Sequence, residues 1–278
     1  MEVGVVCIPD DTDMDKFRKL ADSNEGWTIK YNKNNVKVWV QSGNDKEQQQ
    51  PQSRIRMLKA HKVMSDVSAP LMYDVLHDPD YRKEWDKHMI EGKEICMLNP
   101  NNDISYYCLR CPSPMKNRDF VTQRTWLETD REYLIFNHSV FHKDLPPKKG
   151  FIRGESILTG YLVRPKGKNG CEMFYVTQSD PKGSVPKWAV NKVAQIVAPS
   201  VMKTLHKACL RYPQWKSTHN PGFKPWLYPE QALGYLPRLN QEDILPKQEY
   251  PSDDSLDESE IKEEDFTDDA LVVEDKDL

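Results

Sequence analysis

The sequence predicts an α+β fold, with a long run of antiparallel strands and helices set apart at its ends. Three observations predict it. Six candidate strands, at 93–98, 103–110, 118–128, 132–142, 151–163 and 171–178, follow one another with no helical pattern between them. Polar turns at 99–102, 128–131 and 165–170 separate several of them. Beyond residue 186 the apolar period changes from two to about 3.6, with Val190, Val193, Val197, Val201, Leu205 and Cys209 at helical spacing. Helices segregated from a run of antiparallel strands are the α+β pattern.

The other elements follow in chain order. Phe17, Leu20 and Ala21 share one face of a predicted helix over 15–22. Strands at 27–31 and 36–40 flank Asn32-Lys33-Asn34-Asn35, a hairpin signal. Residues 45–53, with three consecutive glutamines, read as a loop, and 54–63 alternates as a strand, bringing the total to about nine. Pro70 opens a helix to His77, with Leu71, Val75 and Leu76 on its face. Asp78-Pro79 stops it, because proline cannot continue a helix, and starts a short second helix carrying Tyr81 to Trp85. Pro186 opens the long helix, which runs to about 211, and Pro199 inside it should bend it. From 213 to 250 prolines alternate with Trp215, Phe223, Trp226, Leu227 and Tyr228, the composition of a strap lying on the body. A curved sheet closed by one long terminal helix can enclose a cavity.

Charge divides the chain. Residues 251–278 carry 13 acidic side chains against Lys262 and Lys276, while the remaining 250 residues have a net charge of +7. Such an acidic block reads as a disordered tail, and the basic body favours anionic surfaces. No run of about 18 apolar residues exists to span a bilayer, and residues 1–14 read as an N-terminal segment without a secretion signal. Six cysteines in such a chain predict free thiols in a reducing, cytoplasmic compartment. Cys108 and Cys111 have CxxC spacing but no companion pair, so zinc or redox use is weaker than two ordinary strand cysteines.

Catalytic signatures are missing: there is no GxSxG, HExxH or P-loop, and no nucleophile–base pair, so the chain reads as a non-enzyme without cofactor or metal. His138 and His142 are four apart, which in a strand is about 13 Å. Lysines and arginines are scattered without an aromatic-interleaved stripe, against nucleic acid. The stronger signal is Tyr81-Arg82-Lys83-Glu84-Trp85-Asp86. Arg82 and Asp86, four apart on a helix, share a face and can pair. Local spacing alone makes this a surface ion pair worth about 0–1 kcal/mol. In Pro112-Ser113-Pro114-Met115-Lys116-Asn117-Arg118-Asp119-Phe120-Val121, Arg118 and Asp119 read as the polar start of a strand, Asp119 satisfying loop backbone groups.

These two segments, Ser179-Asp180-Pro181-Lys182-Gly183-Ser184-Val185-Pro186-Lys187-Trp188 and the long terminal helix resemble, in order and spacing, the START (StAR-related lipid transfer) domain family, most of all its phosphatidylcholine-transfer branch. The resemblance covers residues 15–212. It implies a helix-grip fold, a curved antiparallel sheet around a lipid tunnel lidded by the C-terminal helix. It also implies that Arg82 meets the lipid phosphate with Asp86 as its partner, and that Tyr107, Phe120 and Ile157 occupy the choline-facing positions. The phosphatidylcholine pattern has Trp, Tyr and Tyr there. Cation–π attraction is strongest over Trp, so this weakened cage should discriminate less and admit a primary ammonium beside the quaternary one.

The expected function is therefore a monomeric phospholipid carrier that binds one phosphatidylcholine or phosphatidylethanolamine and touches membranes transiently. The alternative is a lipid-sensing adaptor that regulates a protein partner. Pro199 reads as a kink that fits the helix to the sheet or as a lid hinge. Lys192 and Lys203, with Lys187 and Lys207, suit a phospholipid surface or a solvated face. Ser255, three residues before Glu258, has the pattern of a casein kinase 2-type site, and Ser252 precedes Asp253-Asp254. Phosphate there would add about −1.5 to −2 charge to a tail that either controls transfer or simply solubilises the chain.

Overall fold

The computed structural model describes residues 1–41, 56–183, 185, 187–247, 258 and 261–263. Helix α1 (Asp11–Asp22) starts earlier than expected because the Asp10 side chain accepts from the Asp13 amide at 3.0 Å and caps it. Strands β1 (Trp27–Lys33), β2 (Val36–Gln41) and β3 (Leu58–Met64) follow, then helices α2 (Ala69–His77) and α3 (Pro79–Trp85). The meander comprises β4 (Met89–Asn99), β5 (Asn102–Leu109), β6 (Asn117–Glu128), β7 (Tyr133–Ser139), β8 (Phe151–Arg153), β9 (Glu155–Lys166) and β10 (Gly170–Asp180).

Nine strands run antiparallel in the order β1-β2-β3-β10-β9-β7-β6-β5-β4, and β8 pairs with β6 in parallel. The expected strand over 151–163 is thus two strands. The first half of β6 pairs with β8, its second half with β7, and the chain changes rows at Gly154. Only glycine fits there, because a Cβ would lie 2.4 Å from the Phe120 ring. Gly160 plays a similar part on the sheet's outer face. Phe17 of α1 lies over it and stacks on Phe136 at 5.5 Å, and a Cβ at 160 would meet both.

The terminal helix has three parts: α4 (Lys187–Lys192), a π-helical turn (Val193–Val197) and α5 (Ala198–Thr218). Pro199 has no N–H to give to the preceding turn. The helix absorbs this by widening just before it, and the Ala198 amide reaches back to the Val193 carbonyl. The irregularity lies N-terminal to the proline rather than at it. At the other end the helix continues through Pro213 to Thr218, past the expected stop near 211. Tertiary contacts hold that last turn. Tyr212 Oη donates to Asp78 Oδ2 at 2.9 Å, Lys216 Nζ donates to the same oxygen at 2.8 Å, and Trp215 packs on Tyr81 at 4.8 Å.

Asp78 is therefore shared. Its Oδ1 caps α3 by accepting from the Asp80 and Tyr81 amides, both at 3.1 Å, while Oδ2 binds α5. The Tyr81 hydroxyl adds a bond to the Ala208 carbonyl at 2.7 Å. Within the predicted 213–250 strap, the described residues to 247 lie on the body. Trp226 Nε1 and Lys224 Nζ both donate to Asp74, at 2.8 and 2.6 Å, and Trp226 stacks on His77. Farther on, Met97 of the edge strand β4 bonds to Pro237 and Leu239, so the strap covers part of an otherwise open edge.

Asp78→Asn keeps a capping oxygen but leaves the 9 % accessible Lys216 ammonium without its counter-charge. It should cost about 2–4 kcal/mol in urea unfolding with an unchanged m-value. Adding Lys216→Met should recover part of that loss.

Candidate functional site

Between the concave face of the sheet and α2, α3, α4, the π turn and α5 lies a cavity of about 1520 Å³. It is larger than the roughly 300–1,000 Å³ typical of small-molecule pockets. Strand alternation decides what faces it. On β6 the inward residues are Arg118, Phe120, Thr122 and Arg124, and on β5 Ser105, Tyr107 and Leu109. Val197, Val201, Met202 and Leu205 of the terminal helix supply an apolar roof.

The structure brings Arg82, Asp86, Tyr107 and Phe120 to this one cavity. Arg82 Nε donates to Asp86 Oδ2 at 3.0 Å, and the Tyr107 hydroxyl donates to the same oxygen at 3.0 Å. The guanidinium carbon lies 5.2 Å from the Tyr107 ring centre and 5.4 Å from that of Trp85. This is no surface pair: the 26 % accessible part of the Arg82 side chain opens on the cavity. Burial works against its charge, but Asp86 and the Tyr161 and Tyr107 phenols outweigh that and raise its pKa above the ordinary arginine value. Burial, then Asp86, pushes the Tyr107 phenol well up, so it stays a neutral donor.

Ile157 does not line the cavity. The β9–β10 register shifts beside it: Leu158 pairs with Gln178, but the next partner of β10, Ser179, is Ser156. Ile157 is the extra residue of a β-bulge, and Ser156 takes the inward place. Tyr161 and Tyr175, paired partners on β9 and β10 with rings 5.0 Å apart, face Arg82 instead; sequence reasoning missed both. Their one signal was alternation within two predicted strands, which cannot say which face is inward.

Four further arginines line the cavity; Arg56 and Arg110 are solvent-exposed, and Arg118 and Arg124 are consumed by the protein. Arg124 donates to Asp103 through Nε at 2.8 Å and to Glu94 through Nη2 at 2.9 Å. Arg118, expected at a polar strand start, is 1 % accessible. It donates to the carbonyls of Pro181, Lys116 and Lys182 and, at 2.5 Å, to Glu258 Oε2. Glu258 also accepts from the Lys116 amide at 2.8 Å, and its own amide donates to the Gly183 carbonyl. Glu258 of the acidic segment is thus seated on the body. Asp119 does not serve loop amides. It takes a two-pronged pair from Arg153 at 2.9 Å and accepts from the Tyr106 hydroxyl at 3.1 Å.

Of the remaining expected positions, Lys192 lies at the cavity rim and pairs with Glu263 at 3.5 Å, and Lys203 is exposed on α5. Ser252 and Ser255 lie outside the described residues, as do 45–53 and Pro186. The six cysteines are free thiols. Among the described residues, His142, Asp144 and Asp243 cluster closely enough to hold a metal ion. Two of the three also have partners within the protein: Lys143 Nζ pairs with Asp243 at 2.5 Å, and the Asp144 amide donates to His142 Nδ1. No helix of the described residues is long and apolar enough to cross a membrane.

Comparison with known proteins places this cavity in context. The family model of the START domain matches residues 8–216. The chain is 44 % identical over 258 residues to the mouse START domain-containing protein 10, covering 93 % of this chain and 86 % of that one. Mouse phosphatidylcholine transfer protein is 32 % identical over 158 residues, 55 % of this chain and 73 % of that one. The crystal structure of human STARD10 superposes with a TM-score of 0.79 at 44 % identity, covering 87 % and 96 % of the two chains.

Truncating the seated tail residue, Glu258→Ala, leaves Arg118 three carbonyls but no carboxylate. It should lower stability by about 1–3 kcal/mol and remove hydrogen-exchange protection from the Lys116 amide.

Proposed function

The chain belongs to the START domain family, and from that premise we propose that it carries one phosphatidylcholine or phosphatidylethanolamine in the cavity and moves it between membranes. The observation that carries this reading is the state of Arg82. Asp86 holds it through Nε, so among the described residues the terminal fork points at the cavity and the Tyr161 phenol with no carboxylate of its own. A guanidinium fork fits two phosphate oxygens. Arg118 and Arg124 line the same space, but their carboxylates neutralise them. Of the cavity arginines that are not solvent-exposed, Arg82 is therefore the one an entering anion finds ready for it.

The rest of the cavity suits the acyl part. Moving two chains of about 16 carbons through water would cost on the order of 25 kcal/mol, less where the chains fold together. Apolar side chains such as Leu58, Met89, Leu109, Val201 and Met202 replace that water contact. The terminal helix forms part of the wall, so loading requires it to move, and its π turn is where its backbone is least regular. The basic body would hold the protein briefly at an anionic membrane.

Purified full-length protein should move both lipids between vesicles, and native mass spectrometry should show one copurified phospholipid. Arg82→Gln should lower transfer of both lipids at least tenfold with the fold intact by circular dichroism. Transfer of phosphatidylcholine alone would overturn the dual preference. Binding without any transfer would favour the lipid-sensing adaptor.

A further inference from the structure

One part of the cavity wall is not apolar. Ser156 and Thr159 of β9, Thr177 and Ser179 of β10 and Asn137 of β7 all line it, and they bond to one another. Ser156 Oγ lies 3.0 Å from both Asn137 Oδ1 and Thr159 Oγ1. Thr159, Thr177 and Ser179 form a triangle of hydroxyls at 2.8, 3.1 and 3.2 Å. The bulge that turns Ile157 away brings Ser156 into this group.

Acceptors outnumber donors in it. Four hydroxyls and the Asn137 amide present about ten lone pairs and about six protons, and the Tyr175 phenol reaches Thr177. A group that only donates would satisfy this cluster. We infer that it is an ammonium subsite that counts N–H groups on the lipid headgroup, with Thr159 and Thr177 as its specificity-determining residues. A primary ammonium brings three N–H donors to it, and a quaternary one brings none. The inference rests on the phospholipid reading of the cavity and adds to it where the amine goes.

Position supports the assignment. Thr159 and Tyr161 are successive inward residues of β9, about 6.6 Å apart along the strand, and Thr177 and Tyr175 are their partners on β10. Tyr161 stands at Arg82. In an ethanolamine headgroup four bonds, roughly 5 Å when extended, separate phosphorus from nitrogen. A phosphate at Arg82 thus leaves the ammonium within one strand step of the hydroxyls. Two of the cavity's aromatics, Tyr107 and Phe120, lie on β5 and β6, a different wall from the hydroxyls, while Tyr161 and Tyr175 stand one strand step from them on β9 and β10. The two headgroups would turn to different walls from one phosphate anchor.

The test uses the full chain and vesicles carrying phosphatidylethanolamine, its N-monomethyl and N,N-dimethyl forms, or phosphatidylcholine. In wild type, transfer should depend stepwise on the number of N–H groups. Thr159→Val with Thr177→Val, which keeps side-chain shape and removes both hydroxyls, should lower the ethanolamine-to-choline transfer ratio about tenfold and flatten the series. Thr159→Ser with Thr177→Ser should keep the wild-type ratio. An unchanged ratio in the valine variant overturns the inference while leaving the carrier reading intact. A wild type that moves none of the four lipids overturns the carrier reading instead. Should the valine variant fail to fold, the wild-type series decides, and no dependence on N–H number overturns the subsite.

Discussion

The placement of Arg82 depends on a carboxylate four residues before it. Helix α3 has only seven residues, too few to be stable on its own in water. Asp78 makes it possible by using both oxygens, one as the helix cap and one as the acceptor for Tyr212 and Lys216 of α5. The helix that offers the guanidinium is thereby fixed to the helix that roofs the cavity. Neither could shift far at this junction without exposing a charge whose partner is on the other.

Of the five arginines lining the cavity, the three that are not solvent-exposed differ in what the protein has already given them. Arg118 has three carbonyls and a glutamate, Arg124 two carboxylates, and Arg82 a single carboxylate oxygen that it shares with Tyr107, beside the Tyr161 phenol. Low accessibility makes an unpaired charge costly, so neutralising two of the three keeps the site tolerable while empty. What remains is one directional anchor. The surroundings of that anchor are mixed, with Tyr107 and Phe120 on β5 and β6, and Tyr161, Tyr175 and the hydroxyl cluster on β9 and β10.

Local chemistry was legible in the sequence wherever partners are close in the chain. Asp78-Pro79 marked a helix boundary, the i,i+4 spacing of Arg82 and Asp86 marked their pairing, and alternation marked the strands. The misses have one physical form, because each depends on a partner far away. The helix runs through Pro213 because Asp78 and Tyr81 hold its last turn. Ile157 leaves the cavity because β10 is out of step with β9 by one residue. Arg118 is buried because Glu258 comes back to it across 140 positions. The hydroxyl cluster exists only once three strands lie side by side, and nothing in any one strand announces it.

The sheet order has a consequence for how the chain is made. Strand β3 pairs with β10, so the first three strands cannot join the meander until Gly170–Asp180 has left the ribosome. Until then β3 has an unsatisfied edge, beside two strands that cannot form a stable domain by themselves. The acid that neutralises Arg118 is made later still. A growing chain therefore carries an open sheet until Gly170–Asp180 is made and an unbalanced interior charge until Glu258 is made. This topology favours folding once these distant segments have all emerged, or under the protection of a chaperone, over folding piece by piece.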